Sequence, residues 1–308
     1  MKYGIIKDQF GNPHKFAKVI LGAFPFGSII SEELSFQAMD YYRGQGGNVI
    51  DTARVYCDFI ENGSGASEKT VGKWIKERNC RNEFYIISKG SHPAISNMQK
   101  SRLSPEEISY DLGESLKALE MDCIDLYFLH RDDEKIPVKN IMDSLHGHVA
   151  AGRIKMLGAS NWRIERILEA NEYAIANGKT PFVVSEIQWS YAYCSKEIFG
   201  DSTVVCMDGQ QHQQYLKAGI PVLAFTSQAG GLFSAGYQQD LSDIAPKHKK
   251  YHCEENVKRY QKLLETCAAK GITPTRACLE YIIDNEVNGF AIVGCTKLEQ
   301  LQDSLKGI

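Results

Sequence analysis

Short runs rich in β-branched and other apolar residues alternate with segments of helical periodicity along the whole chain, and this alternation restricts the fold more than any other feature. The pattern is typical of βα units, which build a parallel sheet. The eight predicted strands cover residues 17–23, 48–53, 84–90, 123–130, 154–160, 183–188, 221–227 and 289–294. Eight parallel strands with intervening helices predict an α/β fold, a (β/α)8 TIM barrel.

Capping residues mark where several of the intervening helices begin. In SPEEISYDLGESLKALEM, Ser104 is the predicted N-cap, Pro105 stands in the first turn and Glu107 completes a capping box. The Thr-Pro pair at Thr273 predicts a second helix start of this kind. Ser67 is the predicted N-cap of the helix that follows the second strand.

The segment ahead of the first βα unit predicts a short N-terminal β-hairpin that turns at Gly11 and Asn12. Such a hairpin is suited to cover the floor of a barrel. The chain has 308 residues, with no linker rich in Pro, Gly or Ser and no low-complexity tract. Barrels often reach this length as one unit, so we expect a single (β/α)8 domain over residues 1–308.

Composition excludes several classes of partner and site. The formal charge is -3 and no long basic stripe appears, so neither nucleic acid nor an anionic membrane is an expected partner. The nine cysteines are odd in number and contain no CxxC, which fits neither a disulfide framework nor a zinc site. We therefore expect no metal. The N-terminus lacks the apolar core of a signal peptide, and a cytoplasmic protein is expected.

Titratable side chains stand where three neighbouring predicted strands end. Asp51 ends the second strand and Tyr56 follows in its loop, Lys89 ends the third strand, and His130 ends the fourth. Each has an ordinary structural explanation: a capping aspartate, a rim tyrosine, a lysine that reaches water, or a histidine bonded to the backbone. A buried ammonium needs a partner, however, and the carboxyl ends of the strands meet at one face of a barrel. We therefore expect the four side chains to converge.

Seven segments, taken together and in order, resemble the aldo-keto reductase superfamily, in particular its bacterial-type members. They are GGNVIDTARVY (46–56), ASEKTVGKWI (66–75), YIISK (85–89), SLKALEMDCIDLYFLHRDD (115–133), AGRIKMLGASNW (151–162), EIQWSY (186–191) and VGCTKLEQLQDSL (293–305). The resemblance implies that Asp51, Tyr56, Lys89 and His130 are the catalytic tetrad. It also implies a nicotinamide dinucleotide bound without a Rossmann fingerprint, and the chain has no GxGxxG after a strand.

The same resemblance assigns a cofactor groove. Its residues are Ser160, Asn161, Gln188, Phe225, Thr226, Gly294, Cys295, Thr296, Gln300, Asp303 and Ser304. Phe225 stands where the family usually has a tyrosine that stacks on the nicotinamide. Lys297 adds the one cation of the adenosine-side segment, so NADP(H) is the preferred cofactor and NAD(H) the alternative. Phe24, Trp162 and Trp189 are candidates for substrate contact near the barrel mouth, although aromatic residues also serve as ordinary packing.

The implied reaction is the reduction of an aldehyde or ketone, including sugar-derived ones, to an alcohol. Tyr56 would act as general acid, with Lys89 lowering its pKa, Asp51 holding Lys89 in place and His130 orienting the carbonyl. Two alternatives remain: a lyase that uses Lys89 as a Schiff-base nucleophile, and a cofactor-binding regulatory subunit of the same fold. The sequence specifies neither the carbonyl compound nor the oligomeric state.

Overall fold

The computed structural model describes residues 1–233 and 246–308. Eight parallel strands close a barrel in the order β10-β3-β4-β5-β6-β7-β8-β9. The barrel strands are β3 (Val19–Gly22), β4 (Val49–Asp51), β5 (Tyr85–Gly90), β6 (Ile124–Leu129), β7 (Ile154–Ser160), β8 (Phe182–Gln188), β9 (Val222–Phe225) and β10 (Gly289–Val293). Each boundary lies within two residues of the predicted one, so the TIM-barrel prediction is confirmed.

The helices cover the outside of the barrel. They are α1 (Glu32–Gly44), α2 (Ala66–Arg78), α3 (Pro105–Leu119), α4 (Val138–Ala150), α5 (Ile164–Ala176), α6 (Lys196–Phe199), α7 (Gly209–Ala218), α8 (Glu254–Lys270), α9 (Pro274–Ile283) and α10 (Leu298–Leu305). Short 3-10 turns occupy Arg81–Glu83, Ala229–Gly231 and Pro246–Tyr251.

The predicted caps are confirmed at two helices and wrong at a third. Ser104 caps α3 in a full capping box with Glu107, and Thr273 caps α9. Ser67 lies inside α2, whose N-cap is Gly65 in a left-handed conformation. The Ser67 hydroxyl instead donates to the carbonyl of Ala23 at 2.7 Å, which ties the helix to the loop after β3.

Alternate residues of each barrel strand point inward and fill the floor of the barrel. The inward cluster contains Ile20, Val49, Ile87, Leu126, Phe128, Met156, Val184, Leu223, Phe290 and Ile292. Because side chains alternate along a strand, the residues two positions further along face the same interior nearer the carboxyl end. This register brings Asp51, Lys89 and Glu186 into the upper interior.

The N-terminal hairpin closes the lower end of the barrel. Its strands, β1 (Tyr3–Lys7) and β2 (Pro13–Ala17), pair antiparallel around a turn in which Gly11 has a φ of +85°. Ile6 and Phe16 of the hairpin belong to the same apolar cluster as the inward residues. The predicted hairpin and its position are therefore confirmed, and the opposite end of the barrel is left as the open one.

Candidate active site

A cavity of about 690 Å³ opens at the carboxyl end of the barrel. The strands contribute Gly22, Asp51, Ser160, Glu186, Phe225 and Val293 to its wall. Ile292 of β10, the helices α6, α9 and α10, and the loops and turns that follow the strands supply the rest. Enzymes built on this fold carry out their chemistry at this face, so the cavity is the candidate active site.

Asp51, Tyr56 and Lys89 form a triangle of hydrogen bonds beside the cavity. Lys89 Nζ donates to Asp51 Oδ1 at 2.5 Å and to Tyr56 Oη at 2.9 Å. The Tyr56 hydroxyl donates to Asp51 Oδ2 at 3.1 Å. The side chain of Lys89 has 0% exposed surface, so the ammonium does not reach water and depends on these partners.

Burial and the neighbouring charges set the protonation of this triangle. Burial alone lowers the pKa of Lys89, but the charges of Asp51 and Glu186 outweigh it and the pKa lies above its usual value. Burial and the Asp51 charge raise the pKa of Tyr56, and the Lys89 charge offsets this only in part. The prediction that Lys89 brings the pKa of Tyr56 below its ordinary value is therefore wrong for the net shift. The phenol keeps its proton at neutral pH.

His130 lies beside the triangle as a neutral ring. Its centroid is 6.1 Å from that of Tyr56 and 4.8 Å from that of His92. Burial lowers the pKa of His130 well below its usual value, and the nearby Arg131 acts in the same direction. Nδ1 of His130 has no hydrogen-bond partner among the residues that the structure describes. A neutral imidazole in this position can donate one hydrogen bond to a ligand oxygen.

Glu186 is the functional candidate that the sequence analysis missed. It lies on β8, lines the cavity, and its Oε1 is 3.4 Å from Lys89 Nζ. Burial raises the pKa of Glu186 to about 8, with the Lys89 charge opposing that rise. The signal was present in the sequence, because a lone carboxylate in the apolar run VVSEIQ raises the same question as Lys89 does in its own strand.

The predicted cofactor residues, with one exception, line the cavity. Those that do are Ser160, Asn161, Phe225, Thr226, Gly294, Cys295, Thr296, Gln300, Asp303 and Ser304. Gln188 does not: it is buried at the end of β8, and its Nε2 donates to the Ser190 hydroxyl at 3.1 Å. Gln188 shares the inward parity of Glu186, which lines the cavity two residues earlier, and its contact with a carboxamide stays a prediction.

The cavity wall is chemically suited to a long polar ligand with a planar end. It runs from Tyr56 and His130 past Ser160 and Asn161 to the start of α10. Near the tetrad it contains two buried polar atoms without a partner among the described residues, Glu186 Oε2 and His130 Nδ1. Unsatisfied buried groups of this kind are costly and point to a hydrogen-bonding ligand. The residues present therefore fit a nicotinamide dinucleotide.

The outer part of the cavity is apolar. Phe24, Ile29, Phe59 and Ile95 line it and are 41%, 47%, 60% and 48% exposed. The ring of Phe24 stacks on that of Phe59 with centroids 6.2 Å apart and meets the edge of Tyr56 at 5.2 Å. This group, called the apolar wall below, extends from the reacting side of the cavity to its mouth.

Trp162 and Trp189 do not reach the cavity. Trp162 is fully buried against Phe182, with ring centroids 5.3 Å apart. Trp189 has the outward parity of β8 and packs against His212 and Tyr281. Their predicted contact with substrate conflicts with these positions, since both indoles are core residues. Phe24 alone of the three candidates stands where a substrate could touch it.

Two further properties of the described residues concern membrane-spanning helices and metal-binding clusters. None of the helices in residues 1–233 and 246–308 is both long and apolar enough to cross a bilayer. Within the same residues, no three His, Cys, Asp or Glu side chains come together in a way that would hold a metal ion.

Comparison with known proteins agrees with this architecture. A family model described as "Aldo/keto reductase family" matches residues 18–308. Norsolorinic acid reductase B of Dothistroma septosporum is 27% identical over 310 residues, covering 96% of this chain and 74% of that protein. Aryl-alcohol dehydrogenase [NADP(+)] of Phanerodontia chrysosporium is 28% identical, with coverage of 92% and 74%.

A third relative, aldo-keto reductase yakc [NADP(+)] of Schizosaccharomyces pombe, is 25% identical over 285 residues, with coverage of 89% of this chain and 77% of that protein. These three relatives are fungal, and the comparisons show the family without the bacterial-type subgroup expected from the sequence. The shared length includes the strand ends that surround the cavity.

Proposed function

The chain belongs to the aldo/keto reductase family, and from this premise we propose that it is an NAD(P)H-dependent oxidoreductase that reduces an aromatic aldehyde or ketone to the alcohol. The observation that carries the proposal is the contact of the protonated Tyr56 phenol with both Lys89 and Asp51 at the cavity wall. A carbonyl reduction needs a hydride for carbon and a proton for oxygen. The reduced nicotinamide, when bound, supplies the hydride, and the protein supplies the proton.

Tyr56 is the proposed proton donor. Its raised pKa keeps the hydroxyl protonated until a carbonyl oxygen gains negative charge beside it. When the proton leaves, the phenolate that remains still accepts a hydrogen bond from Lys89, whose 2.9 Å contact is already in place. The ammonium thus stabilises the charge that develops during the reaction, through the same interaction that offsets part of the rise in the pKa of Tyr56.

His130 and Asp51 orient this donor. A neutral His130 ring offers a hydrogen bond to the same carbonyl oxygen without competing for the proton. Asp51 holds Lys89 at 2.5 Å and also accepts from the Tyr56 hydroxyl. That hydroxyl must rotate away from Asp51 to face a substrate, and Lys89 keeps its oxygen fixed while it does so.

The apolar wall supports an aromatic substrate. The four apolar side chains of this wall leave 41–60% of their surface exposed in the protein alone, and a flat ring would cover them. Two of the relatives carry the names aryl-alcohol dehydrogenase and norsolorinic acid reductase. A sugar presents hydroxyls to each side and suits such a wall less well, because its polar groups would lose water without gaining partners.

We propose NADP(H) as the preferred cofactor and NAD(H) as a weaker one. Two relatives are named for NADP(+). Among the described residues that line the cavity, Arg131 is the only Lys or Arg, and it is bound to Asp201 and Thr203. The cation that we assign to a phosphate is Lys297, which is exposed and directly follows Thr296 of the cavity wall.

The alternatives have weaker support. A Schiff-base lysine must be a neutral amine that reaches its substrate, whereas Lys89 is buried and its pKa is raised by Asp51 and Glu186 despite the opposing effect of burial. A purely regulatory subunit would not need the intact tetrad, although a binding role alongside the chemistry is compatible with it. Both alternatives predict little consumption of NADPH.

Consumption of NADPH with matched carbonyl compounds tests the proposal. The compounds are aromatic aldehydes and ketones, aliphatic carbonyls of similar size, and aldoses. Burial of a ring-sized apolar group is worth about 1.5–3 kcal/mol, so we expect kcat/KM for the aromatic compounds to exceed that for the aldoses by about tenfold or more. Higher kcat/KM for aldoses would contradict the substrate class, and no consumption with any compound would contradict the reaction.

Variants in the apolar wall sharpen the test. Phe59→Ala should reduce the preference for aromatic over aliphatic compounds, because Phe59 provides a stacking face. Phe10→Ala is the matched control, since Phe10 is 78% exposed and lies on the hairpin at the closed end of the barrel. The control should leave the preference unchanged.

A further inference from the structure

Glu186 is a second carboxyl group on a lysine that already has one. Glu186 is 2% exposed. Its Oε1 lies 3.4 Å from Lys89 Nζ, and its Oε2 has no hydrogen-bond partner among the described residues. The residue also lines the cavity. Because Glu186 lines the cavity, its unpaired Oε2 is open to a role beyond holding Lys89.

The two carboxyl groups are not equivalent. Asp51 accepts hydrogen bonds from Lys89 at 2.5 Å and from Tyr56 at 3.1 Å, and both stabilise its ionised form. Glu186 has only the longer contact with Lys89. One buried ammonium cannot balance two buried carboxylates, so one proton must remain in the group, and it belongs on Glu186.

We propose that Glu186 is the proton reservoir of the active site, exchanging protons with Tyr56 through Lys89. This inference rests on the proposed carbonyl reduction and adds a residue to it. Lys89 is the only link required, because its Nζ contacts Tyr56 Oη at 2.9 Å and Glu186 Oε1 at 3.4 Å. Glu186 touches neither of the reacting atoms in this scheme and acts through Lys89.

The proton movements balance in each direction. In reduction, the Tyr56 O–H bond breaks as its proton goes to the substrate oxygen, Lys89 gives a proton to the Tyr56 oxygen, and Glu186 gives its proton to Lys89. The resulting Glu186 carboxylate regains a proton from water at the cavity mouth. In alcohol oxidation the same protons move in reverse, and an ionised Glu186 receives the last one.

Several charged or titratable groups face Glu186 and enter its protonation. They are Asp51 on β4, Tyr56 in the loop after β4, Lys89 on β5, and Arg131 after β6. Burial raises the pKa of Glu186 to about 8, the Lys89 and Arg131 charges lower it, and the Asp51 charge raises it. Glu186 therefore carries its proton below about pH 8 and loses it above.

The direction of the pH dependence follows from that state. Refilling Tyr56 after each reduction needs protonated Glu186, so the steady-state rate of reduction should fall as the pH rises through about 8. Oxidation needs the ionised form, so its rate should rise across the same range. Glu186→Gln keeps the size and polarity of the side chain but cannot exchange a proton. The fall in the reduction rate and the rise in the oxidation rate, called the two pH limbs below, should therefore both disappear.

The experiment compares three variants with the wild type in steady-state reduction and oxidation. Glu186→Gln should lose both limbs and reduce turnover by about tenfold or more. Glu186→Asp retains a carboxyl and should retain the limbs. Glu68→Gln is the control: Glu68 is a buried carboxyl on α2 that accepts from Ser88 and lies outside the cavity wall. It should leave both limbs in place.

A second readout does not depend on turnover. The infrared carbonyl band of a protonated carboxyl should titrate near pH 8 in the wild type and be missing from Glu186→Gln. If the wild type reduces no carbonyl compound, the proposed reaction fails while this band still reports on Glu186. Retention of both pH limbs in folded Glu186→Gln, or absence of the band in the wild type, would overturn the inference.

Discussion

At the scale of single residues, the chain illustrates how a charge inside an apolar strand signals function. Lys89 could be identified in this way from the sequence, because a buried ammonium needs partners and the ends of neighbouring strands offered them. Glu186 in VVSEIQ meets the same criterion, but the resemblance to the family assigns Gln188, and not Glu186, to the site. The two differ in depth, and only Glu186 lies level with Lys89 in the barrel.

The net pKa of Tyr56 could not be read from the sequence. Its direction depends on how much of the phenol is buried and on the relative distances of Asp51 and Lys89. A sequence identifies the charged neighbours but not which of them dominates. Lys89 lowers the pKa of Tyr56 relative to burial alone, and the same contact stabilises the phenolate as it forms.

Lys297 carries the prediction on cofactor choice. Lys297→Gln should raise the Kd for NADPH by about threefold to tenfold, the scale of an exposed charge-assisted contact, and leave that for NADH unchanged. Lys306→Gln is the matched control, because Lys306 is exposed at the opposite end of α10. Titration of each cofactor by fluorescence gives both constants. Equal weakening of NADPH and NADH would contradict the role given to Lys297.

At the scale of elements, the regular parts of the chain could be predicted and the irregular ones could not. The capping boxes and the alternation along the strands depend on neighbours in the sequence, which is why Ser104 and Thr273 were identified correctly. Ser67 was misplaced because its hydroxyl bonds to Ala23, far away in the chain. Trp162 follows Asn161, whose φ of +59° redirects the chain into the core.

Two helical glycines provide a test of packing at this scale. Gly72 of α2 lies against the end of α3, and an added Cβ would collide with the backbone carbonyl oxygen of Leu119. Gly147 of α4 is exposed, and an added Cβ would meet nothing within 4 Å. Gly72→Ala should lower the free energy of unfolding by about 1–2 kcal/mol through overpacking.

Gly147→Ala is the matched substitution in open space. It should raise the free energy of unfolding by about 0.5–1 kcal/mol, because alanine loses less backbone entropy in a helix. Urea denaturation of both variants measures the difference. If the two substitutions shifted stability in the same direction, the packing of α2 on α3 would need revision.

At the scale of the whole molecule, the barrel follows from the order of elements and the cavity follows from the loops. The alternation of strands and helices was sufficient to predict the closed sheet. The apolar wall was not predicted beyond Phe24, because Phe59 and Ile95 come from loops whose paths depend on long-range packing.

The same view explains why the site tolerates so many buried polar groups. The barrel holds Asp51, Lys89 and Glu186 on adjacent or opposing strands, so their geometry is fixed by the sheet and not by flexible loops. Preorganised charges of this kind cost no reorganisation when a reaction begins. Burying these charges costs folding free energy, and burial of the apolar cluster below them offsets that cost.

The central claim is that Tyr56 delivers a proton to a carbonyl oxygen, and Tyr56→Phe tests it most directly. Phenylalanine keeps the ring that packs on Phe24 and His130 and removes only the hydroxyl. The measurement is single-turnover oxidation of NADPH with an aromatic aldehyde, alongside the Kd for NADPH. We predict a rate lower by about 10²–10⁴-fold with an unchanged Kd. A rate within about twofold of the wild type would contradict the account.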